Sequence, residues 1–215
     1  MEELVNIHTH VPGEGINVLN AKPGDICSER KNMYYSMGIH PVFPGDDPER
    51  DLQRIEELAR SGVLVAIGEA GLDRNSAVGL EEQMNWFRRQ IEIAESCRIP
   101  LIIHCVRVYP ELLTLYKHYR PEQSWIVHGY NNNRQILSEL LRHGLCISAG
   151  KKLFAEESNI AVLLPEIPLE QLFVETDDSA HRIGEVYGKV ADILGIEPDV
   201  LTGQVYDNWK RCFNK

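Results

Sequence analysis

Short apolar runs that stop at a histidine or an acidic residue constrain the fold of this chain more than any other feature of its sequence. The runs alternate with segments in which apolar residues recur every three or four positions. This alternation is typical of buried parallel strands that are connected by helices. The residues at which the apolar runs stop are His8 and His10, His40, Glu69, His104, His128 and Asp177.

The intervals between these residues favour a barrel over an open sheet. The step from His128 to Asp177 is about twice the step from His104 to His128, and the apolar run at residues 145–149 fills it as a strand without a ligand. Ligands at successive strand ends indicate an α/β protein with a TIM-type (β/α) barrel, whose active site lies at the carboxyl ends of the strands. Helices are predicted at residues 51–59, 82–97, 111–119, 134–143, 183–194 and 199–213, with the asparagines at 131–133 as a capping cluster.

The N-terminal part of this barrel is predicted to be irregular. Residues 16–19 read as a short strand, but no segment between the first strand and these residues has the pattern of a helix. A crossover between parallel strands normally contains a helix. We therefore expect a barrel that is distorted or incomplete near its N-terminus, with seven or eight strands.

The residues at the strand ends predict a metal site. His8 and His10 lie two positions apart on a strand, so both imidazoles point to the same face. Imidazole and carboxylate ligands without a thiolate suit Zn, Mn, Fe, Co or Ni, and Mg where carboxylate and water dominate. A carboxylate such as Glu69 can bridge two ions, so we expect divalent metal ions, two in number, of undetermined identity. His181, four residues after Asp177, either rims this site or lies outside it.

Length, charge and cysteines bound the remaining possibilities. The 215 residues suit one domain over 1–215, and the net charge of −10 argues against a broad basic surface for non-specific binding of nucleic acid. A nucleotide or a DNA end held by metal stays compatible with that charge.

The cysteines lack paired spacing, which indicates reduced thiols, and no signal peptide or membrane-spanning run is visible. We expect a cytoplasmic protein that does not associate with membranes. The cysteines are Cys27, Cys97, Cys105, Cys146 and Cys212.

Several short motifs occur in an order that resembles one known family. They are His8-Thr9-His10, the Gly38-Ile39-His40-Pro41 segment, Ile67-Gly68-Glu69-Ala70-Gly71-Leu72-Asp73, Val127-His128-Gly129-Tyr130 and Val174-Glu175-Thr176-Asp177. Together they resemble the TatD-type metal-dependent hydrolases, whose best-studied members are deoxyribonucleases. Asn6 stands where that family usually has an aspartate.

The resemblance implies a role for each site residue. His8, His10 and Asp177 would hold one metal, His104 and His128 the other, and Glu69 would bridge them. Asp177 would accept the proton as water attacks, and His40 would contact substrate phosphate or bound water. The implied reaction is hydrolysis of a phosphodiester or similar ester, with a 3′–5′ DNA-end exonuclease as precedent and DNA ends or nucleotides as partners.

A phosphate-binding pocket needs cationic donors, and Arg74, Arg107 and Arg134 are the candidates because each follows a strand end. Two other functions remain open. The same site could hydrolyse C–N or carboxyl-ester bonds, or the chain could be a metal-binding scaffold that has lost substrate binding. The oligomeric state is left open.

Overall fold

The described part of the chain contains eight strands in one sheet. The computed structural model describes residues 2–22, 26 and 31–213, so Cys27 lies outside the described residues. The strand order follows the sequence from β1 to β8, and the pairings of β1 with β2, β3 with β4, β4 with β5 and β7 with β8 are parallel. The strands are β1 Val5–Thr9, β2 Ile16–Asn20, β3 Met33–Met37, β4 Leu64–Asp73, β5 Leu101–Val106, β6 Trp125–Val127, β7 Cys146–Ala149 and β8 Leu172–Val174.

The six predicted helices are present to within a few residues, and the structure adds one short helix, Asn159–Leu163, that was not predicted. Asp47 caps the first helix by accepting from the Arg50 N–H at 3.1 Å, and Asn133 caps the fourth by accepting from the Ile136 N–H at 3.0 Å. The predicted asparagine cap is therefore confirmed. The helices are α1 Pro48–Arg60, α2 Leu80–Cys97, α3 Tyr109–Tyr119, α4 Arg134–Arg142, α5 Asn159–Leu163, α6 Ile183–Leu194 and α7 Pro198–Phe213.

The connection between β1 and β2 contains no helix, as the sequence predicted. The Asn17 side chain replaces it by accepting from the Gly13 N–H at 3.0 Å and donating to the carbonyls of Gly13 and Gly15 at 3.1 and 3.0 Å. Gly15 has φ +76°, and a Cβ there would lie 2.2 Å from the Leu4 carbonyl oxygen. The short connection therefore depends on a glycine and on one buried amide.

The chain forms two compact units. Unit 1 comprises Met1–Leu19, Glu29–Met33 and Val127–Lys215, and unit 2 comprises Asn20–Ser28 and Tyr34–Ile126. The expectation of a single domain stays a prediction.

Unit 1 is built around β1, β7 and β8, against which α6 and α7 pack. The Tyr187 hydroxyl of α6 bonds both the N–H and the carbonyl of Val5 at 3.0 Å. On α7, the ring of Phe213 lies 4.2 Å from Trp209 and 6.1 Å from Phe173 of β8, measured between centroids. After β8, the chain forms a parallel bridge from Asp177 back to Thr9, so the last strand is joined to the first.

Unit 2 is built around β4 and β5, with α2 packed on β4 and α1 packed on α2. Its aromatic core joins Phe87 of α2 and Tyr116 of α3 to Trp125, at centroid distances of 5.8 and 5.1 Å. Within the residues that the structure describes, no helix has the length and apolar character needed to cross a bilayer.

Candidate metal centre

Unit 1 gathers four of the predicted ligands into a cluster. His8 lies in β1, His10 directly after it, His128 directly after β6 and Asp177 after β8. Ligand atoms of His8, His128 and Asp177 all lie within 4.8 Å of one another. Asp177 Oδ1 is 3.6 Å from His8 Nε2 and 3.5 Å from His10 Nε2. We call His8, His10, His128 and Asp177 the unit 1 cluster.

Backbone hydrogen bonds fix Asp177 beside His8 of β1 and His10, which directly follows β1. The Asp177 N–H donates to the His8 carbonyl at 3.0 Å, and the His10 N–H donates to the Asp177 carbonyl at 3.1 Å. Asp177 itself has φ +54°, a left-handed conformation that aspartate tolerates better than most residues. The bridge thus places the Asp177 carboxylate against the imidazoles that point to the same face of β1.

Asn6 holds the segment before Asp177. Its side chain accepts from the Thr176 N–H at 3.0 Å and donates to the Thr176 hydroxyl at 2.8 Å, and that hydroxyl donates to Thr9 Oγ1 at 2.9 Å. All three side chains are buried. The amide of Asn6 therefore supplies an acceptor for the Thr176 N–H and a donor for the Thr176 hydroxyl, and an ionised carboxylate could not be that donor.

Lys151 is a cation that the sequence reasoning missed. It begins the 3-10 helix Lys151–Phe154 after β7, the strand that was predicted to supply no ligand. Its Nζ lies 2.8 Å from Asp177 Oδ2 and also bonds Asp178. Burial lowers the pKa of Lys151, but the hydrogen bonds to these two carboxylates outweigh it and leave the pKa above its ordinary value.

The same contacts keep Asp177 ionised. Burial acts to raise the pKa of this carboxyl, but hydrogen bonds from His10, His8 and Lys151 outweigh burial and hold the pKa far below its usual range. An ionised carboxylate is what a metal ligand must be.

Glu175 lies behind His128. Its Oε1 accepts from the Gly129 N–H at 2.7 Å and lies 3.4 Å from His128 Nδ1, and the residue is only 1% exposed. A carboxylate behind a ligand histidine fixes the ring and leaves its other nitrogen for the metal. From the sequence, Glu175 was recognisable only as part of the motif that ends at Asp177, without a role of its own.

Unit 2 gathers the remaining predicted ligands. Ligand atoms of His40, Glu69 and His104 lie within 4.8 Å of one another. Glu69 Oε1 is 3.1 Å from His40 Nε2 and 2.8 Å from His104 Nδ1. His104 Nε2 lies 2.9 Å from Asp73 Oδ2. Asp73 therefore contacts a ring nitrogen of His104, just as Glu175 contacts a ring nitrogen of His128. We call His40, Glu69 and His104 the unit 2 cluster.

The hydrogen bonds of His40 define its tautomer. Its Nδ1 accepts from the backbone N–H groups of Val42 and Phe43, at 3.0 and 3.3 Å. Nδ1 therefore carries no proton, and Nε2 donates to Glu69. In this arrangement His40 is a donor that orients Glu69, and its expected contact with substrate stays a prediction.

Glu69 and His104 lie inside strands, although the sequence predicted them at strand ends. β4 continues past Glu69 to Asp73, and β5 continues past His104 to Val106. The reason is that Gly68 and Gly71 adopt φ +155° and +147°, and the register of β4 on β5 shifts between Ile67 and Ala70. The glycines let the strand bend without ending.

Two buried glutamines of α2 support the backbone of unit 2. Gln83 accepts from the Asp73 N–H at 2.8 Å and donates to the Asp73 carbonyl at 3.0 Å. Gln90 accepts from the Ile39 N–H at 2.6 Å. The two positions share one face of the helix, and the sequence pattern gave no signal of their role because glutamine is usually solvent-exposed.

The predicted substrate-binding arginines are exposed. Arg74 pairs with Glu111 and donates to the Arg107 carbonyl at 3.2 Å, and Arg134 pairs with Glu166 at 2.7 Å. These carboxylates belong to neither cluster, and exposed pairs of this kind hold a side chain only weakly. Substrate binding by Arg74, Arg107 and Arg134 stays a prediction.

The donor set fits divalent metal ions. Each cluster combines imidazole nitrogen with carboxylate oxygen, and each has a second carboxylate behind one histidine. Transition metals of the zinc and manganese type take these ligands.

Comparison with known proteins gives the family. The family model described as "TatD related DNase" matches residues 20–214. The chain is 31% identical over 144 residues to the 3′-5′ ssDNA/RNA exonuclease TatD of Pectobacterium atrosepticum, covering 65% of this chain and 55% of that protein. It is 30% identical over 156 residues to the uncharacterized metal-dependent hydrolase YabD of Bacillus subtilis, covering 71% of this chain and 61% of that protein.

A solved structure agrees with these relatives. YJJV, a TatD homologue of Escherichia coli K12, superposes with a TM-score of 0.86 at 20% identity, covering 99% of this chain and 98% of that one. The expected TIM-type (β/α) barrel is confirmed. The chain therefore belongs to the TatD family of metal-dependent hydrolases.

Proposed function

We propose that this protein hydrolyses phosphodiester bonds at the ends of DNA or in nucleotides, as a TatD-like deoxyribonuclease or phosphoesterase. The observation that carries the proposal is the pair of clusters, in which imidazoles face a carboxylate and a further buried carboxylate contacts one imidazole of each cluster. The names of the relatives, one of them a 3′-5′ ssDNA/RNA exonuclease, support the choice of substrate.

The proposed ligands of two divalent ions are His8, His10, His128 and Asp177 in unit 1 and Glu69 and His104 in unit 2. Bound divalent ions supply a water that ionises near neutral pH and a positive charge for phosphoryl oxygens. The metal can be Zn, Mn, Mg, Ni, Co or Fe, and elemental analysis of the purified protein identifies it.

The protein's own residues take the other roles. Asp177, ionised at neutral pH, is positioned to accept the proton of the attacking water. His40 orients Glu69 through its Nε2–H and can turn that donor to a phosphate oxygen. Lys151, whose ammonium contacts Asp177 of the unit 1 cluster, is a donor for the phosphate.

The proposal is tested with a 5′-labelled single-stranded oligonucleotide. The expected result is metal-dependent shortening from the 3′ end, which EDTA stops. Glu69→Gln and Asp177→Asn are expected to lower the rate by roughly 10²-fold or more, because each removes a charge at the reacting centre. Glu92→Gln, on the exposed side of α2, and Glu185→Gln, on α6, are the matched controls.

The alternatives are outcomes of the same test. Unchanged activity in Glu69→Gln would contradict any hydrolysis at this site. Turnover of p-nitrophenyl acetate or a cyclic amide, but not of the oligonucleotide or bis-p-nitrophenyl phosphate, would indicate C–N or carboxyl-ester hydrolysis. Stoichiometric metal without turnover of any substrate would indicate a scaffold.

We also propose that the protein acts in the cytoplasm. Among the described residues, Cys97, Cys105, Cys146 and Cys212 form no disulfide bond, which supports a reducing compartment. Cell fractionation tests the location, and recovery with membranes or outside the cell would contradict it.

A further inference from the structure

Phe43 is an aromatic side chain left in water. It is 78% exposed, the largest exposed fraction among the large apolar side chains of the described residues. Burial of a phenyl ring stabilises a fold, so a ring that is left exposed contributes little to stability. The ring lies next to the unit 2 cluster, which suggests a role in binding.

Phe43 contacts His40 of the unit 2 cluster through both its backbone and its ring. Its backbone N–H donates to His40 Nδ1 at 3.3 Å, and its ring stacks on the His40 imidazole with centroids 5.3 Å apart and an interplanar angle of 29°. His40 Nε2 bonds Glu69, a proposed metal ligand, at 3.1 Å. One imidazole thus separates the exposed ring from the carboxylate of the reacting centre.

The loop that carries Phe43 is conformationally restricted. Pro41 and Pro44 flank the segment, and a residue that precedes proline is confined to extended conformations. The Ser76 hydroxyl donates to the Pro41 carbonyl at 2.8 Å, which ties the start of the loop to the segment after β4. The ring is therefore presented in a narrow range of positions, which lowers the entropy cost of binding a ligand.

A second exposed phenylalanine provides a comparison. Phe154, 37% exposed, stacks on His181 with centroids 3.8 Å apart and an angle of 16°. His181 Nδ1 lies 3.4 Å from Glu185 Oε2, and Glu185 belongs to neither cluster. Of these two phenylalanines, Phe43 is the one whose histidine contacts a proposed metal ligand.

We propose that Phe43 is the stacking site for a nucleobase of the substrate, next to the phosphodiester that is cleaved. This inference rests on the proposed function, since it requires a substrate with flat aromatic bases. Proteins that bind single strands without sequence preference stack bases on exposed aromatic side chains. The net charge of −10 argues against a broad basic surface, so stacking supplies affinity that phosphate contacts alone would not.

The test compares oligonucleotides that differ only in one base. Three single strands end at the 3′ side with a normal dinucleotide, with an abasic tetrahydrofuran as the last residue, or with one as the penultimate residue. For the wild-type protein, kcat/KM is expected to fall roughly 10-fold for one of the two abasic strands, the size of a lost stacking contact. Phe43→Ala should lower kcat/KM for the normal strand by a similar factor and remove the difference between the strands.

Matched variants separate stacking from other effects. Phe43→Tyr should retain the preference for a base, because it keeps the aromatic face, whereas Phe43→Leu should lose most of it. Phe154→Ala should retain the preference as well. The melting temperature of Phe43→Ala should equal that of the wild type, since the side chain is mostly in water. A 3′-terminal or penultimate 2-aminopurine should be quenched on binding to the wild type and less so on binding to Phe43→Ala.

The outcomes distinguish the two proposals. If the wild type cleaves the strands with a base preference that Phe43→Ala retains, or that only Phe154→Ala removes, the stacking site is wrong while the proposed function stands. Equal rates for all three strands would also overturn it. If the wild type cleaves none of the strands, the proposed function fails and the inference with it.

Discussion

At the scale of single residues, buried carboxylates behind histidines organise both clusters. Glu175 contacts His128 in unit 1, and Asp73 contacts His104 in unit 2. Each carboxylate also accepts a backbone N–H, Glu175 from Gly129 at 2.7 Å and Asp73 from Asn75 at 2.7 Å. The imidazole orientation is thus coupled to the backbone and does not depend on the metal alone.

Removing the Glu175 carboxylate should weaken metal binding. Glu175→Gln keeps the volume but loses the charge that holds His128, and such changes typically cost about 10–100-fold in metal affinity. Competition with a fluorescent chelator measures the affinity, with Glu170→Gln, an exposed position, as the control. An unchanged affinity in a folded Glu175→Gln variant would show that His128 needs no such support.

Burial should control the reactivity of the thiols. Cys105 is 7% exposed, and burial raises its pKa well above the ordinary value, so little thiolate forms. Alkylation at pH 8 followed by mass spectrometry should label the partly exposed Cys97 well before Cys105, Cys146 and Cys212. Rapid labelling of Cys105 at pH 8 would contradict its burial.

The raised pKa of Cys105 also makes the stability of the fold depend on pH. Because the pKa is higher in the folded chain than in the unfolded chain, the protonated thiol contributes to the free energy of unfolding. This contribution is fully present below the unfolded thiol's pKa of about 8.5 and is lost as pH rises further.

At the scale of elements, glycines decide how β4 passes the unit 2 cluster. A Cβ on Gly71 would lie 2.0 Å from the His104 carbonyl oxygen of the neighbouring strand β5. The close approach of the two strands here places Glu69, Asp73 and His104 within hydrogen-bonding distance. The geometry of the cluster therefore depends on the absence of a side chain.

Gly71→Ala should destabilise the protein by at least about 1–3 kcal/mol, because it adds both a strained φ and a backbone collision. Urea denaturation measures the loss. The control is Gly188→Ala in α6, where an added Cβ meets nothing within 4 Å. There alanine should stabilise the helix by about 0.5–1 kcal/mol. Equal effects of the two substitutions would show that the strand can move away from the added methyl group.

At the scale of the whole molecule, acidity limits how a polyanion can bind. The chain carries 32 acidic and 22 basic residues, and several of the basic side chains are already paired with carboxylates. Binding through many phosphate contacts would require clustered cations. The net charge therefore favours recognition of a chain end over recognition of a long backbone.

Activity on an oligonucleotide should accordingly depend only weakly on salt. We expect the slope of log kcat/KM against log salt concentration to be about −1 or shallower, equivalent to roughly one phosphate contact. Measurement between 50 and 200 mM NaCl at a fixed, saturating metal concentration gives the slope. A steep decrease, with a slope near −5, would indicate an extended basic binding surface.

The sequence by itself determined the alternation of strands and helices and which side chains are candidates for metal binding. Periodicity reports which residues face a sheet, and a parallel sheet collects strand ends, so His8, His128 and Asp177 could be expected together. The sequence also predicted the irregular connection before β2, because the residues between β1 and β2 include a proline and glycines and show no helical spacing.

Only the tertiary structure decided how those ligands are held. Lys151 reaches Asp177 from 26 residues away, and Glu175 lies 47 residues from the His128 that it supports. Gln83 and Gln90 brace the backbone from a neighbouring helix. Local pattern carries no information about such contacts, because a polar side chain has the same propensities whether it faces water or a buried partner. The partner is chosen when the elements pack and each buried polar group must find a hydrogen bond.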